Sequence, residues 1–80
     1  MNKVIEARRA VYLWLYVQRV EAPGAYWTRR KLKFLAEEPR LSAALIFGRE
    51  MGHLRKSRSR WRMTATGMLY TETAFNGGRD

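Results

Sequence analysis

The sequence has no cysteine and a single histidine, so disulfides, thiolate nucleophiles and Cys-based zinc sites are excluded, and nothing asks for an oxidising compartment. Its longest apolar run, AVYLWLYV from Ala10 to Val17, is eight residues, far short of the ~20 that a membrane-crossing helix needs. The run lacks a small-residue cleavage site, so neither a membrane span nor a secretory leader is expected. No Gly-rich loop precedes a Lys, which leaves nucleotide hydrolysis without candidate residues. His53 has no second His, no Cys and no clustered carboxylate beside it, and the pair Glu37 and Glu38 suits a loop better than general acid and base work. An enzyme, a metal site and a cofactor are therefore not expected.

Acids are also scarce. Seven Asp and Glu stand against sixteen Lys and Arg, giving a formal net charge of +9 in 80 residues. A field of that sign implies a polyanionic partner or a negatively charged surface. Eleven of the sixteen cations fall between Arg29 and Arg62, accompanied only by Glu37, Glu38 and Glu50. Residues 1 to 28 instead mix Lys3, Arg8, Arg9 and Arg19 with Glu6 and Glu21, the ordinary pattern of a solvated helix side.

What is present can close one small core. The apolar fraction is 46%, with three Trp, four Tyr and three Phe, which argues against a disordered basic chain. One domain over residues 1–75 is expected, with NGGRD at 76–80 as a frayed, flexible tail.

Asn2 can cap a helix whose interior, KVIEARRAVYLWLYVQRV, has no Gly or Pro and ends at APG. Helix 1 is predicted from about Lys3 to Val20. Val4, Ala7, Val11, Trp14 and Gln18 follow helical spacing, and Tyr12, Leu13, Leu15 and Tyr16 widen the apolar surface. Such a helix is central to the core or covered by a second subunit. GAYWT is short and β-prone, and Thr28 can cap a second helix of about two turns with Leu32, Leu35 and Ala36 inward. EEP interrupts it.

Helix 3 restarts near Arg40 or Ser42 and is predicted to continue through SAALIFGREMGHLRK. Ala44, Phe47, Met51 and Leu54 mark one face; Ser42, Ile46, Arg49, His53 and Lys56 mark the other. Gly48 and Gly52 each weaken a helix by ~1 kcal/mol, which implies a close neighbour or a bend. Beyond it, Trp61, Met63 and Ala65 alternate with Arg60, Arg62 and Thr64, and Met68 and Tyr70 resume the pattern. A two-stranded hairpin turning at Ala65 to Gly67 is predicted. The competing assignment makes Thr64 or Thr66 the N-cap of a fourth helix, GMLYTETAF.

This order of elements resembles the winged helix-turn-helix domain over residues 3 to about 73. WTRRKLKFLAE is similar to the first helix of the helix-turn-helix, RLSAALIFGREMGHLRKS to the recognition helix, and RSRWRMTATGMLYT to the wing. WRMTATG also resembles the hydrophobic-Thr-x-x-Gly pattern that closes such wings. The chain departs from the pattern in its EEP turn, which lacks Gly, and in the short span between Leu54 and Gly67. The resemblance implies an α+β fold, a three-helix helix-turn-helix core with a C-terminal two-stranded β-hairpin as wing. It also implies a double-stranded DNA partner and a small bacterial or phage-type regulator.

On that view helix 3 enters the major groove, where Arg reads guanine and an apolar side chain touches a thymine methyl. Ser42, Ile46, Arg49 and His53 are the candidate base contacts. Arg29, Arg30, Lys33, Lys56, Arg58, Arg60 and Arg62 are the candidate backbone contacts, the last three aligned on one side of an extended strand while Trp61 and Met63 anchor the other. Helix 1 is a candidate homodimer contact, and a cytoplasmic, nucleoid-associated location is expected. The rivals are a protein-interaction module docking through the basic face, and RNA or single-strand binding with Trp27 and Trp61 stacking on bases.

Overall fold

The computed structural model describes residues 2–75; the tail expected at 76–80 lies outside them. Helix α1 spans Lys3–Glu21 and starts where the Asn2 side chain accepts the Val4 and Ile5 N–H groups at 2.9 and 3.2 Å. Two of the helix's orphan donors are thereby satisfied. At the other end the Ala22 N–H reaches the Gln18 carbonyl at 2.7 Å, and Pro23 cannot extend the ladder. Ala7, Val11, Tyr12 and Leu15 are buried, so α1 is the central helix, while Val17 and Val20 remain exposed.

A short strand β1, Trp27–Thr28, leads into α2, Arg29–Leu32. Thr28 is the cap of α2, its hydroxyl accepting the Lys31 N–H at 3.1 Å. The helix itself is four residues, shorter than the two turns expected, and Leu32 is fully buried at its end. After the EEP turn, α3 runs Arg40–Glu50.

Helix α3 does not continue to Lys56. Gly52 adopts φ 79°, its N–H bonds the Arg49 carbonyl at 3.2 Å, and the His53 N–H bonds the Gly48 carbonyl at 2.8 Å. These are the two hydrogen bonds of a Schellman stop, which needs a residue tolerant of left-handed backbone. The buried face is accordingly Leu41, Ala44, Leu45 and Gly48, while Met51 is exposed and Leu54 is buried from a strand. Leu54 packs on the bare side of Gly48, where an added Cβ would lie 2.5 Å from its Cδ1.

Strands β2, Leu54–Ser57, and β3, Arg60–Met63, form an antiparallel hairpin through Arg58 and Ser59. β1 pairs with the other edge of β3, giving the sheet order β1-β3-β2. Trp27 stands opposite Trp61 and Thr28 opposite Arg60; Leu54 faces Met63, Arg55 faces Arg62, Lys56 faces Trp61 and Ser57 faces Arg60. The sheet is thus three-stranded rather than a two-stranded wing alone, and its turn lies before Trp61 rather than at Ala65 to Gly67.

Residues Ala65–Ala74 form a fourth helix, α4, the competing assignment. Its start is held by the Thr64 hydroxyl, which accepts the Gly67 N–H at 3.0 Å and donates to the Gly52 carbonyl at 2.6 Å. Thr71 and Thr73, which suggested a strand, donate their hydroxyls to the Gly67 and Leu69 carbonyls at 2.8 and 3.1 Å. Back-bonding of this kind accommodates Thr inside a helix. The fold is α+β, with α1, α3 and α4 packed on one face of the sheet around Val11, Tyr12, Leu15, Leu41, Leu45 and Met63.

The first turn of α4 docks on the backbone of His53, and an added Cβ at Gly67 would overlap the His53 carbonyl and crowd Met63 Cγ at 2.9 Å. Gly67→Ala should therefore cost about 3 kcal/mol, the upper range for overpacking, and lower the urea midpoint at constant slope. Gly24→Ala, with nothing within 4 Å of its added Cβ, should stay within about 0.5 kcal/mol of the parent in the same titration.

Candidate functional site

A cleft of about 520 Å³ opens between α3 and the hairpin, lined by Arg29, Ser42, Ile46, Arg49, Lys56 and Trp61 among others. Five of the predicted site residues are brought together there from three elements. Ile46 is 55% exposed, an apolar side chain on the solvent side of α3 next to the exposed Arg49. Lys56 arrives from β2 rather than from a continued helix, with its Nζ 5.5 Å from the Trp61 ring centroid. Its place in the cleft follows from strand register and not from helical spacing.

At one end of the cleft Arg29 pairs with Glu38 and also donates to the Ser42 hydroxyl. Ser42 in turn donates to Glu38 at 2.7 Å. That hydrogen bond, followed by Arg29, holds the Glu38 carboxyl below its usual 4.5. Ser42 and Arg29 are therefore already engaged, whereas Ile46, Arg49 and Lys56 have no side-chain hydrogen bond or ion pair among the described residues.

His53 is not in the cleft. It follows the α3 stop, is only 4% exposed, and shares a 2.7 Å hydrogen bond with the Tyr12 hydroxyl through Nδ1. The Tyr70 ring stacks on it with centroids 4.2 Å apart. Burial, and secondarily the charge of Arg8, holds its imidazole below the usual 6.5. Burial likewise pushes the Tyr12 phenol well above its usual 10.0, so the phenol stays protonated and can donate to a neutral imidazole. The expectation that His53 contacts bases is corrected: its spacing matched the exposed face only while the helix was assumed to continue.

The predicted arginine row is also divided. Arg58 occupies the turn with φ 60°, at the tip of the hairpin. Arg60 and Arg62 lie on the sheet face opposite Lys56, because each pairs in register with residues of the other alternation. Trp61, 6% exposed, and fully buried Met63 do anchor the inner side. Arg30 and Ser59 share a further cleft beside the tip with Thr28 and Arg29, and Lys33 is exposed just beyond α2. Trp27 is half-buried and packs edge-on against Trp14 at 5.2 Å, and Trp61 is buried against the core.

Arg55, Ser57 and Ser59, exposed on the hairpin, are not among the site residues expected from sequence. The alternation of Leu54, Arg55, Lys56 and Ser57 carries the signal, but only once the strand is known to begin at Leu54. Among the described residues no group of His, Cys, Asp or Glu is arranged to hold a metal, and no helix is long and apolar enough to cross a membrane. No protein-family model matches the chain, and neither the curated proteins nor the solved structures show a significant match.

The buried imidazole predicts an acid-sensitive fold. The unfolded chain protonates His53 near 6.5 and the folded chain only at lower pH, so between those values the unfolded state binds more protons and stability falls as pH falls. Urea midpoints should decline from about pH 7.5 to about pH 5, and the decline should flatten in His53→Gln, in a range above the titration of Glu38.

Proposed function

We propose that the chain binds double-stranded DNA with sequence selectivity, as a small transcriptional regulator or architectural accessory. α2 and α3 act as a helix-turn-helix, α3 enters the major groove, and the β2–β3 hairpin serves as a short wing. The observation that carries this is the convergence of exposed Ile46 and Arg49 on α3 with Lys56 on the hairpin, around one open cleft. Arg49 suits bidentate bonding to guanine, and Ile46 suits a thymine methyl. Lys56 and the tip residue Arg58 supply phosphate contacts, with Arg30 and Lys33 from the α2 region on the flanking backbone. Ser42, fixed by Glu38 and Arg29, borders the base-reading pair.

A net charge of +9 supplies affinity without selectivity, so the reading depends on separating the two. Binding should be measured against mixed-sequence duplex, single-stranded DNA and RNA across a salt series, followed by selection of a preferred duplex. Duplex preference with a sequence-selected component supports the proposal; weak binding to all three at low salt overturns it in favour of a protein partner. Arg49→Ala should weaken the selected duplex about tenfold or more, as loss of one bidentate contact does, with little change on mixed sequence. Arg58→Gly should leave the fold as stable or more so, because the left-handed backbone at Arg58 suits Gly, and should lower the salt slope by about one.

A further inference from the structure

We propose that the outer face of the sheet is a second phosphate-binding surface, which holds a second duplex while the α3 side holds the first, so that one molecule ties two DNA segments together. The proposal rests on the duplex-binding function of the α3 side. Strand register places Arg55, Arg60 and Arg62 on this face, together with Thr28 and Ser57. The opposite face is occupied by Leu54, Trp61 and Met63 in the core and by Lys56 over Trp61. The two sets of cations therefore point away from each other across one hairpin.

The outer face carries a cost that folding alone does not explain. Arg55 stands directly opposite Arg62, and like charges at such positions repel. The ion pairs among the described residues, Arg29–Glu38 and Arg40–Glu37, do not reach them. A polyanion laid across the face removes that repulsion. Arg62 is already oriented, with its guanidinium 4.9 Å from the Tyr26 ring centroid and an Nη donating to the Pro23 carbonyl at 3.2 Å. Toward the hairpin tip the face deepens into a cleft of about 540 Å³, lined by Tyr26, Thr28, Ser57, Ser59 and Arg60 and, from the turn, by Arg58, which is counted with the first duplex. Guanidiniums and short hydroxyls are the donors that phosphodiester oxygens take.

The aromatic content favours a duplex backbone over a single strand. Tyr26 is the aromatic side chain at this cleft, and Arg62 lies over one face of its ring, so the cleft offers a single partly covered ring where a strand of stacked bases needs several. The hairpin itself separates the two surfaces: Lys56 and Trp61 line the α3 cleft, and Arg55, Arg60 and Arg62 of the same strands face the other way.

The test is capture by the full chain of a fluorescent mixed-sequence duplex onto the same duplex tethered to beads, beside single-duplex binding by anisotropy. Arg55 and Arg60 are exposed, so R55Q/R60Q should fold. It is expected to reduce capture about tenfold or more while single-duplex affinity falls less than about threefold, after allowing for the salt-dependent loss of two cations. K3Q/R9Q, removing two exposed charges from α1, should keep capture. Equal loss in K3Q/R9Q overturns the proposal, because net charge alone then accounts for bridging. Capture that survives R55Q/R60Q overturns it as well and points to pairing of two copies through α1. Matched loss of capture and single-duplex affinity puts the outer face on the first duplex and overturns it. Stronger capture of a single strand than of a duplex also rejects it. Absence of single-duplex binding in the parent defeats the functional proposal itself, whereas single-duplex binding without capture defeats only the second surface.

Discussion

Where the first turn of α4 meets the backbone at Gly52 and His53, three features lock together: the Thr64 N–H on the His53 carbonyl at 2.9 Å, the Thr64 hydroxyl on the Gly52 carbonyl at 2.6 Å, and a side-chain-free Gly67 against His53. The same segment that ends α3 is thereby tied to the segment that begins α4. The hairpin between them is closed at its base with Leu54 opposite Met63, and its length is set. His53 is carried inward beneath Tyr70, and Lys56 is delivered beside Arg49. A side chain at Gly67 would push the two segments apart, and with them the cleft.

Packing on one side of the hairpin sustains the charge on the other. Leu54, Trp61 and Met63 are 3%, 6% and 0% exposed, and burial of each such side chain stabilises by about 1.5–3 kcal/mol. Repulsion between Arg55 and Arg62 opposes this by less than about 1 kcal/mol, the scale of a cross-strand pair. The hydrophobic term wins, and a strongly basic ribbon stays folded without acids to neutralise it. Of the acids, Glu38 fixes Ser42 and Arg29, Glu37 pairs with Arg40 and Glu72 receives the Tyr16 hydroxyl at 2.5 Å, while Glu50 lines the α3 cleft with Arg49 and Lys56.

Helix starts were legible because capping is local chemistry. Asn2 and Thr28 each bond an N–H within three residues, so no distant partner decides the outcome. The end of α3 was hidden by an apolar spacing that runs on through Met51 and Leu54, although the Gly52 stop belongs to a recognisable motif. α4 was hidden by the β propensity of Thr71 and Thr73, which describes half-buried strand surfaces and not hydroxyls returned to their own helix. Of the candidate site, Ile46 and Arg49 were legible from helical spacing within α3. The same spacing puts His53 on the wrong side, and it conceals Arg55, whose exposure depends on Leu54–Ser57 being a strand.

Composition and short-range pattern by themselves determined the sign and density of charge, the presence of one small aromatic core, the beginnings of three helices and the solvent side of α3. These depend on residues within a turn or two of one another. Which cations share a surface was decided only by tertiary structure. Side chains alternate along a strand, so a shift of one residue in where β2 begins would exchange Lys56 for Arg55 on the cleft side. That starting point is held by Leu54 against Gly48 and by Thr64 against Gly52, contacts that come into being when α3, the hairpin and α4 close on one another.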